Sequence, residues 1–213
     1  MKYLVILFGT LCLATQLKAQ IPSQLLPPIR TTLDSIFIED QRYRNYMDAV
    51  RQHFGGHSPE MKALVRQINN ADSLHLIYVT HLLDKYGWPK KSEVGGRGQS
   101  TLFIVIQHSD LPHQQKYLPM FREAFKQQEF KGSSLALIED RVAIGEGRKQ
   151  IYGSQLSWDM AKNVYTLLPI DNPAEVDKRR AAMGMEPLAA YLEVFDMTWD
   201  AATHTAVPIK KTN

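Results

Sequence analysis

The stretch SPEMKALVRQINNADSLHLIYVTHLLDKYGWP, residues 58–89, decides the fold. Ser58 is a helix-capping residue, and Pro59 suits a first turn, where its missing N–H is no loss. Met61, Leu64, Val65, Ile68, Ala71, Leu74, Tyr78 and Leu82 then recur at three- and four-residue steps, which predicts one long helix with an inward stripe. Asn69-Asn70 is its one weak point, and Gly87-Trp88-Pro89 stops it. On the N-terminal side, Leu33, Ile36, Phe37, Tyr43, Met47, Val50 and Phe54 predict a second amphipathic helix that ends at Gly55-Gly56. On the C-terminal side a glycine-rich loop, Gly95-Gly96-Arg97-Gly98, precedes the apolar run Ser100–His108, read as a helix because Ser100 caps it. Further helices are expected over 112–128 and 133–142. Gln150–Leu156 and Asn163–Leu168, rich in Tyr, Val, Ile and Thr, predict a β-hairpin over about 149–169. Asp171-Asn172-Pro173 opens a helix to Met183, and Pro187 opens a last one to about Met197. The expected fold is mainly α: a single helical domain over 33–197 with a small β-hairpin in the C-terminal half. An extended segment over 20–32 precedes it and a frayed tail over 198–213 follows.

Composition narrows the class. Of 213 residues, 44% are hydrophobic and 22% charged, enough apolar surface for a packed core. A net charge of +3 gives no basic field for nucleic acid. Lys2, the apolar run Tyr3–Ala14 and Leu17-Lys18-Ala19 form the pattern of a signal peptide over 1–19, cleaved near Ala19. That predicts an exported protein, periplasmic or secreted, with no transmembrane helix in the mature chain. Cys12 lies in the middle of the apolar run and follows Gly9-Thr10-Leu11, which is not a lipid-attachment pattern. Cys12 is the only cysteine, so the mature chain has no disulfide and no thiol nucleophile.

Polar residues interrupt the inward stripes. Asp40 and Arg44 stand four apart, acid before base, between Phe37 and Met47. Asp72 and His75 interrupt the long helix, and His108, with Asp110 beyond it, ends the apolar run. Asp140 and Arg141 lie near the end of the short helix, and Gln150 and Tyr152 on the first hairpin strand. A buried charge is costly unless paired, so such residues are kept for pairing or for function. His108 suits a general acid or base, with Asp110 or Asp140 to orient it. Arg44 and Arg141 suit a carboxylate or phosphate, Gln150 and Tyr152 line the same site, and Asp40 and Asp72 support it. Asp72, His75, His108 and Asp110 carry donor atoms, but in no metal-ligand spacing, so no metal and no cofactor are expected. The chain has no G-x-S-x-G, Walker or H-E-x-x-H motif.

A set of short motifs runs through the chain: Asp40-Gln41-x-x-Arg44, Asp72, Tyr86-Gly87-Trp88-Pro89, Gln107-His108-Ser109-Asp110, Asp140-Arg141, and Gln150-x-Tyr152-Gly153-Ser154-Gln155, with Arg179-Arg180 and Gly184 after them. From about Asp34 to Tyr191 this resembles a family of uncharacterised bacterial proteins, a domain of unknown function common among exported and lipid-anchored proteins. Ser109 and Ser154 stand where Ala and Thr are usual, and His75 where an amide is, which weighs against a catalytic role for His75. The resemblance implies that His108, Asp110, Asp140, Arg141 and Gln150 form a unit, and it implies no activity.

Three functions remain open from the sequence. One is a hydrolase using His108 on a small anionic substrate. Another is a non-catalytic envelope module that binds a small polar ligand or peptide, and the third is a purely structural polar network. The sequence leaves open whether the protein is an enzyme and what its oligomeric state is.

Overall fold

A computed structural model describes residues 19–159, 162 and 164–209. The leader expected over 1–19 lies, Ala19 apart, outside the described residues. The chain turns helical earlier than its prolines suggest. Helix α1 (Leu26–Asn45) carries Pro27 and Pro28 in its first turn. There the absent N–H groups have no intrahelical acceptor to lose, so the segment expected to be extended up to residue 32 is helical from Leu26. A break at Tyr46 separates α1 from α2 (Met47–Phe54), which ends at Gly55 with φ +94°.

Helix α3 (Pro59–Tyr86) is the long helix expected, capped by Ser58, whose hydroxyl accepts from the Met61 N–H at 3.0 Å. Asn69 and Asn70 do not break it. Its buried face runs through Met61, Leu64, Ile68, Ala71, His75, Val79 and Leu82. Leu74, expected inside, is 68% exposed. Beyond Ala71 the stripe advances by fours, so His75 takes the inward place and Leu74 turns to water.

Helix α4 (Lys91–His108) begins before Ser100 and runs through the glycines, with a kink at Gly95 (φ 74°, ψ 168°) that only glycine adopts freely. Gly98 is packed between turns: a Cβ there would lie 2.9 Å from Val94 Cβ and 3.3 Å from Leu33 Cδ1. That close approach seats α4 on α1, where the Thr101 hydroxyl donates to the Leu33 carbonyl at 3.1 Å. Helices α5 (Leu111–Lys126) and α6 (Gly132–Gly145) complete the bundle. The main core gathers Leu33, Val79, Leu83, Leu102, Ile106, Phe121 and Ile138, each buried. Each such side chain contributes about 1.5–3 kcal/mol by leaving water. Trp88 closes one end edge-on to Phe121 and Phe130, with ring centroids 5.4 and 5.1 Å away.

The C-terminal part differs in detail from expectation. Gln150–Gln155 is a loop, joined to the rest by one parallel bridge between Gln150 and Ile170. The expected hairpin is shorter: β1 (Leu156–Asp159) pairs antiparallel with β2 (Val164–Leu167). Helix α7 (Val176–Ala182) and a short α8 (Leu188–Glu193) follow. A second hairpin, β3 (Met197–Asp200) with β4 (Thr205–Pro208), replaces the end of the last helix and much of the tail. Ile170, Val176, Leu188, Leu192 and Met197 form a separate small core beneath these elements. The fold is mainly α, with two small antiparallel sheets in its C-terminal half. Among the described residues no helix is long and apolar enough to cross a membrane.

Candidate functional site

Four of the polar interruptions meet. Asp40 and Arg44 lie one turn apart on α1, Asp72 reaches in from α3, and His108 ends α4. Asp40 sits at the bottom, its side chain 2% exposed, while Arg44, Asp72 and His108 are 21%, 24% and 22% exposed around it. Arg44 Nη2 donates to both Asp72 oxygens, at 3.0 and 2.9 Å, and stands 3.4 Å from Asp40 Oδ1. His108 Nδ1 lies 3.2 Å from Asp40 Oδ1 and 3.3 Å from Arg44 Nε.

Those two contacts at Nδ1 demand opposite tautomers. A proton on Nδ1 can be donated to Asp40, whereas a lone pair there can accept from Arg44 Nε–H. An ionised Asp40 favours the first of these. Burial would raise the Asp40 pKa, but the His108 contact, with Arg44 and the Gln41 amide, holds it below the ordinary Asp value. Asp40 is therefore an ionised, acceptor-only group. Its Oδ2 is occupied by Gln41 Nε2 at 2.7 Å, and its Oδ1 accepts from His108 when Nδ1 carries the proton. Arg44, with four other N–H donors, loses little at the longer contact. His108 Nε2 makes no hydrogen bond among the described residues. Asp72 moves the opposite way from Asp40: burial raises its pKa, against the pull of Arg44.

Asp40, Asp72 and His108 each bring one donor atom, all within 4.8 Å of one another, a spacing that suits a cation. The cation among them is the Arg44 guanidinium. A metal ion would have to displace it, so the donor set fits a metal only with Arg44 swung away.

The two carboxylates named from the sequence as partners of His108 lie elsewhere. Asp110 caps α5, accepting from the His113 N–H at 3.1 Å and from the His113 ring, which holds its pKa low. Asp140 is fully buried and organises the loop after α6. It accepts from the N–H groups of Ile151, Tyr152 and Ser154 at 2.6, 2.9 and 2.9 Å, and from the Ser154 hydroxyl at 2.8 Å. Burial raises its pKa against these four donors. Gln150 is as deeply buried, and its amide is saturated by Gln155 O, Leu168 O and the Gln155 N–H. Tyr152 donates to Glu139 Oε2 at 3.1 Å, and burial beside that carboxylate pushes its pKa up to about 12. His75 pairs through Nε2 with Glu39 at 3.2 Å, leaving a buried Nδ1 without a partner.

Arg141 differs from Arg51, whose Nε is likewise buried without an acceptor but whose Nη2 stands 3.5 Å from Asp48. The Arg141 Nε is buried without an acceptor, and no carboxylate partners it among the described residues. Burial lowers its pKa, and Arg44 lies near enough to lower it further, while the Tyr191 hydroxyl opposes this. The sequence missed Arg179 and Arg180 as organisers. Arg180 is 1% exposed, donates to the carbonyls of Glu186 and Tyr152, and lies over the Tyr191 ring at 5.0 Å. Arg179 holds the carbonyls of Ile151, Asp171 and Asn172. Adjacent basic residues on a short helix read as a solvated face, and only the loop they serve marks them out.

A cavity of about 330 Å³ lies away from this cluster, between the start of α4 and the α5–α6 connection, lined by Lys91, Gln99, Phe103, Glu129, Phe130 and Lys131.

A helical bundle bearing a half-open Asp/Arg/Asp/His cluster defines a class by structure, not by activity. Residues 39–202 match the family of unknown function DUF6624, and the chain belongs to that family. Searches of curated proteins and of solved structures gave no match.

Proposed function

We propose that the Asp40–His108 pair is the proton-transfer centre of a hydrolase acting on a small polar substrate. The observation that carries this reading is the contact between His108 Nδ1 and the buried Asp40 carboxylate, with Nε2 unpaired on a half-open ring. Asp40 fixes the tautomer, so Nε2 carries the lone pair. Nε2 takes a proton from water as that water attacks, Asp40 stabilises the imidazolium, and His108 returns the proton to the leaving group. Arg44, tied down by Asp72, supplies fixed positive charge beside the ring. Among the described residues no Ser or Cys makes a hydrogen bond to His108, which favours attack by water over a covalent intermediate.

The test is the imidazole nitrogen NMR spectrum together with a screen of small esters and amides. The expected result is a neutral His108 protonated on Nδ1, and turnover that is lost in His108→Gln. A proton on Nε2, or turnover unchanged in that variant, overturns the reading. Binding without catalysis is the second reading, favoured by the 330 Å³ cavity lying away from His108. Lys2, the apolar run and Leu17-Lys18-Ala19 support export, with cleavage near Ala19. N-terminal sequencing of protein recovered outside the cytoplasm tests it, and a retained Met1 refutes it.

A further inference from the structure

A guanidinium inside a protein is normally matched by a carboxylate or by carbonyl oxygens. Arg44 has Asp72 and Asp40, Arg179 three carbonyls, and Arg180 two carbonyls and an aromatic face. Arg141 has none of these. Its Nε is sealed from water, no acceptor meets any of its nitrogens among the described residues, and its charged neighbour is a second guanidinium. Arg141 directly follows Asp140, whose carboxylate is wholly committed to the 151–154 loop and offers it nothing.

We propose that Arg141 is an anion anchor, and that the ligand it takes carries a carboxylate. The inference rests on the proton-transfer reading for the site it serves, and it names the substrate class. Asp40, Asp72 and Arg44 together carry −1, so Arg141, near Arg44, brings the group to neutrality with no acceptor of its own. A monoanion then adds one negative charge near that group, where a phosphate dianion would add two. The planar guanidinium fork also matches the two oxygens of a carboxylate.

The test uses the mature chain with acetate, succinate and inorganic phosphate as probes, and sodium chloride at matched ionic strength as the control. Acetate or succinate should raise the melting temperature above the chloride control and shift the Arg141 Nε–H resonance. Arg141→Met should abolish both effects. Without ligand it should melt no lower than the wild-type protein, because an unmatched charge has been replaced by an apolar chain of similar length. Arg141→Lys keeps the charge but loses the fork, and should weaken carboxylate binding about tenfold or more. Carboxylate binding unchanged in Arg141→Met, a marked loss of stability in that variant without ligand, or a response to phosphate alone each overturns the proposal. The two readings fail separately. Carboxylate binding retained with His108 protonated on Nε2 refutes the proton chemistry and leaves the anchor. No carboxylate response with His108 protonated on Nδ1 refutes the anchor and leaves the chemistry.

Discussion

Replacing Asp40 with Ala tests whether the cluster is organised around that one carboxylate. The substitution leaves the His108 Nδ1 proton without an acceptor and takes one of two negative charges from Arg44. Removing one partner of a fully buried pair costs about 3–5 kcal/mol. Here Arg44 keeps both bonds to Asp72, and Arg44 and His108 are 21% and 22% exposed, so water relieves part of the loss. The expected cost at pH 7 is therefore about 2–3 kcal/mol, a fall of about 5–10 °C in melting temperature for a chain of this size. The pH dependence has a definite sign. The folded-state pKa of Asp40 lies below its ordinary value, so its contribution is complete above about pH 4 and is lost as pH falls through the lower folded value. Urea unfolding of wild type and Asp40→Ala at pH 7 and near pH 3 measures this, and the two stabilities should draw together in acid. A difference below about 0.5 kcal/mol at pH 7, or an equal difference at both pH values, would refute the central role of Asp40.

Other perturbations follow from the same geometry. Asp140→Ala strands three buried N–H groups and a hydroxyl, and should cost about 3–5 kcal/mol; hydrogen exchange should quicken first at Ile151, Tyr152 and Ser154. Gly153→Ala puts a Cβ 2.9 Å from Ile170 Cδ1 and 3.0 Å from Leu188 Cδ1 at φ +71°, and chemical denaturation should show a loss of about 2 kcal/mol or more. Tyr152, raised by burial and Glu139, should ionise near pH 12, seen as phenolate absorbance present in wild type and missing in Tyr152→Phe. Because the raised value favours the neutral phenol, its stabilisation holds below pH 10 and disappears as pH climbs towards 12.

The helical half was legible because periodicity reports burial directly. Of the residues that broke the stripes of α1 and α3 and ended α4, Asp40, Arg44, Asp72 and His108 meet, while His75 pairs instead with Glu39. The glycines of residues 95–98 misled, since only Gly95 needs its conformational freedom and Gly98 is there for close packing. The partner of His108 was misassigned for a physical reason. Asp110 is nearest in sequence, but at a helix start its carboxylate is drawn to the free N–H of His113. Asp40 reaches His108 only because α1 and α4 pack side by side, a contact that no local pattern encodes. Gln150–Gln155 has strand-like composition, yet the N–H groups of Ile151, Tyr152 and Ser154 bond to the Asp140 side chain, which composition does not distinguish from a ladder. The β3–β4 hairpin was hidden by its length, two strands of four residues joined through Ala201-Ala202-Thr203-His204, which carries no glycine or proline to mark a turn.

The Asp140 carboxylate has a further consequence for how the molecule opens. The small core of Ile170, Val176, Leu188, Leu192 and Met197 is separate from that of the bundle, and Asp140 is the buried polar tether between α6 and the loop that leads to it. The segment beyond residue 150 is thus a candidate cooperative unit, released when this clasp and the bonds of Tyr152 to Glu139 and of Gln155 to the Leu137 carbonyl open while the helices of the bundle stay folded. Burial raises the Asp140 pKa in the folded chain, so protonation does not disfavour the closed form, and acid should act on the Asp40 cluster of the bundle before it acts on this segment.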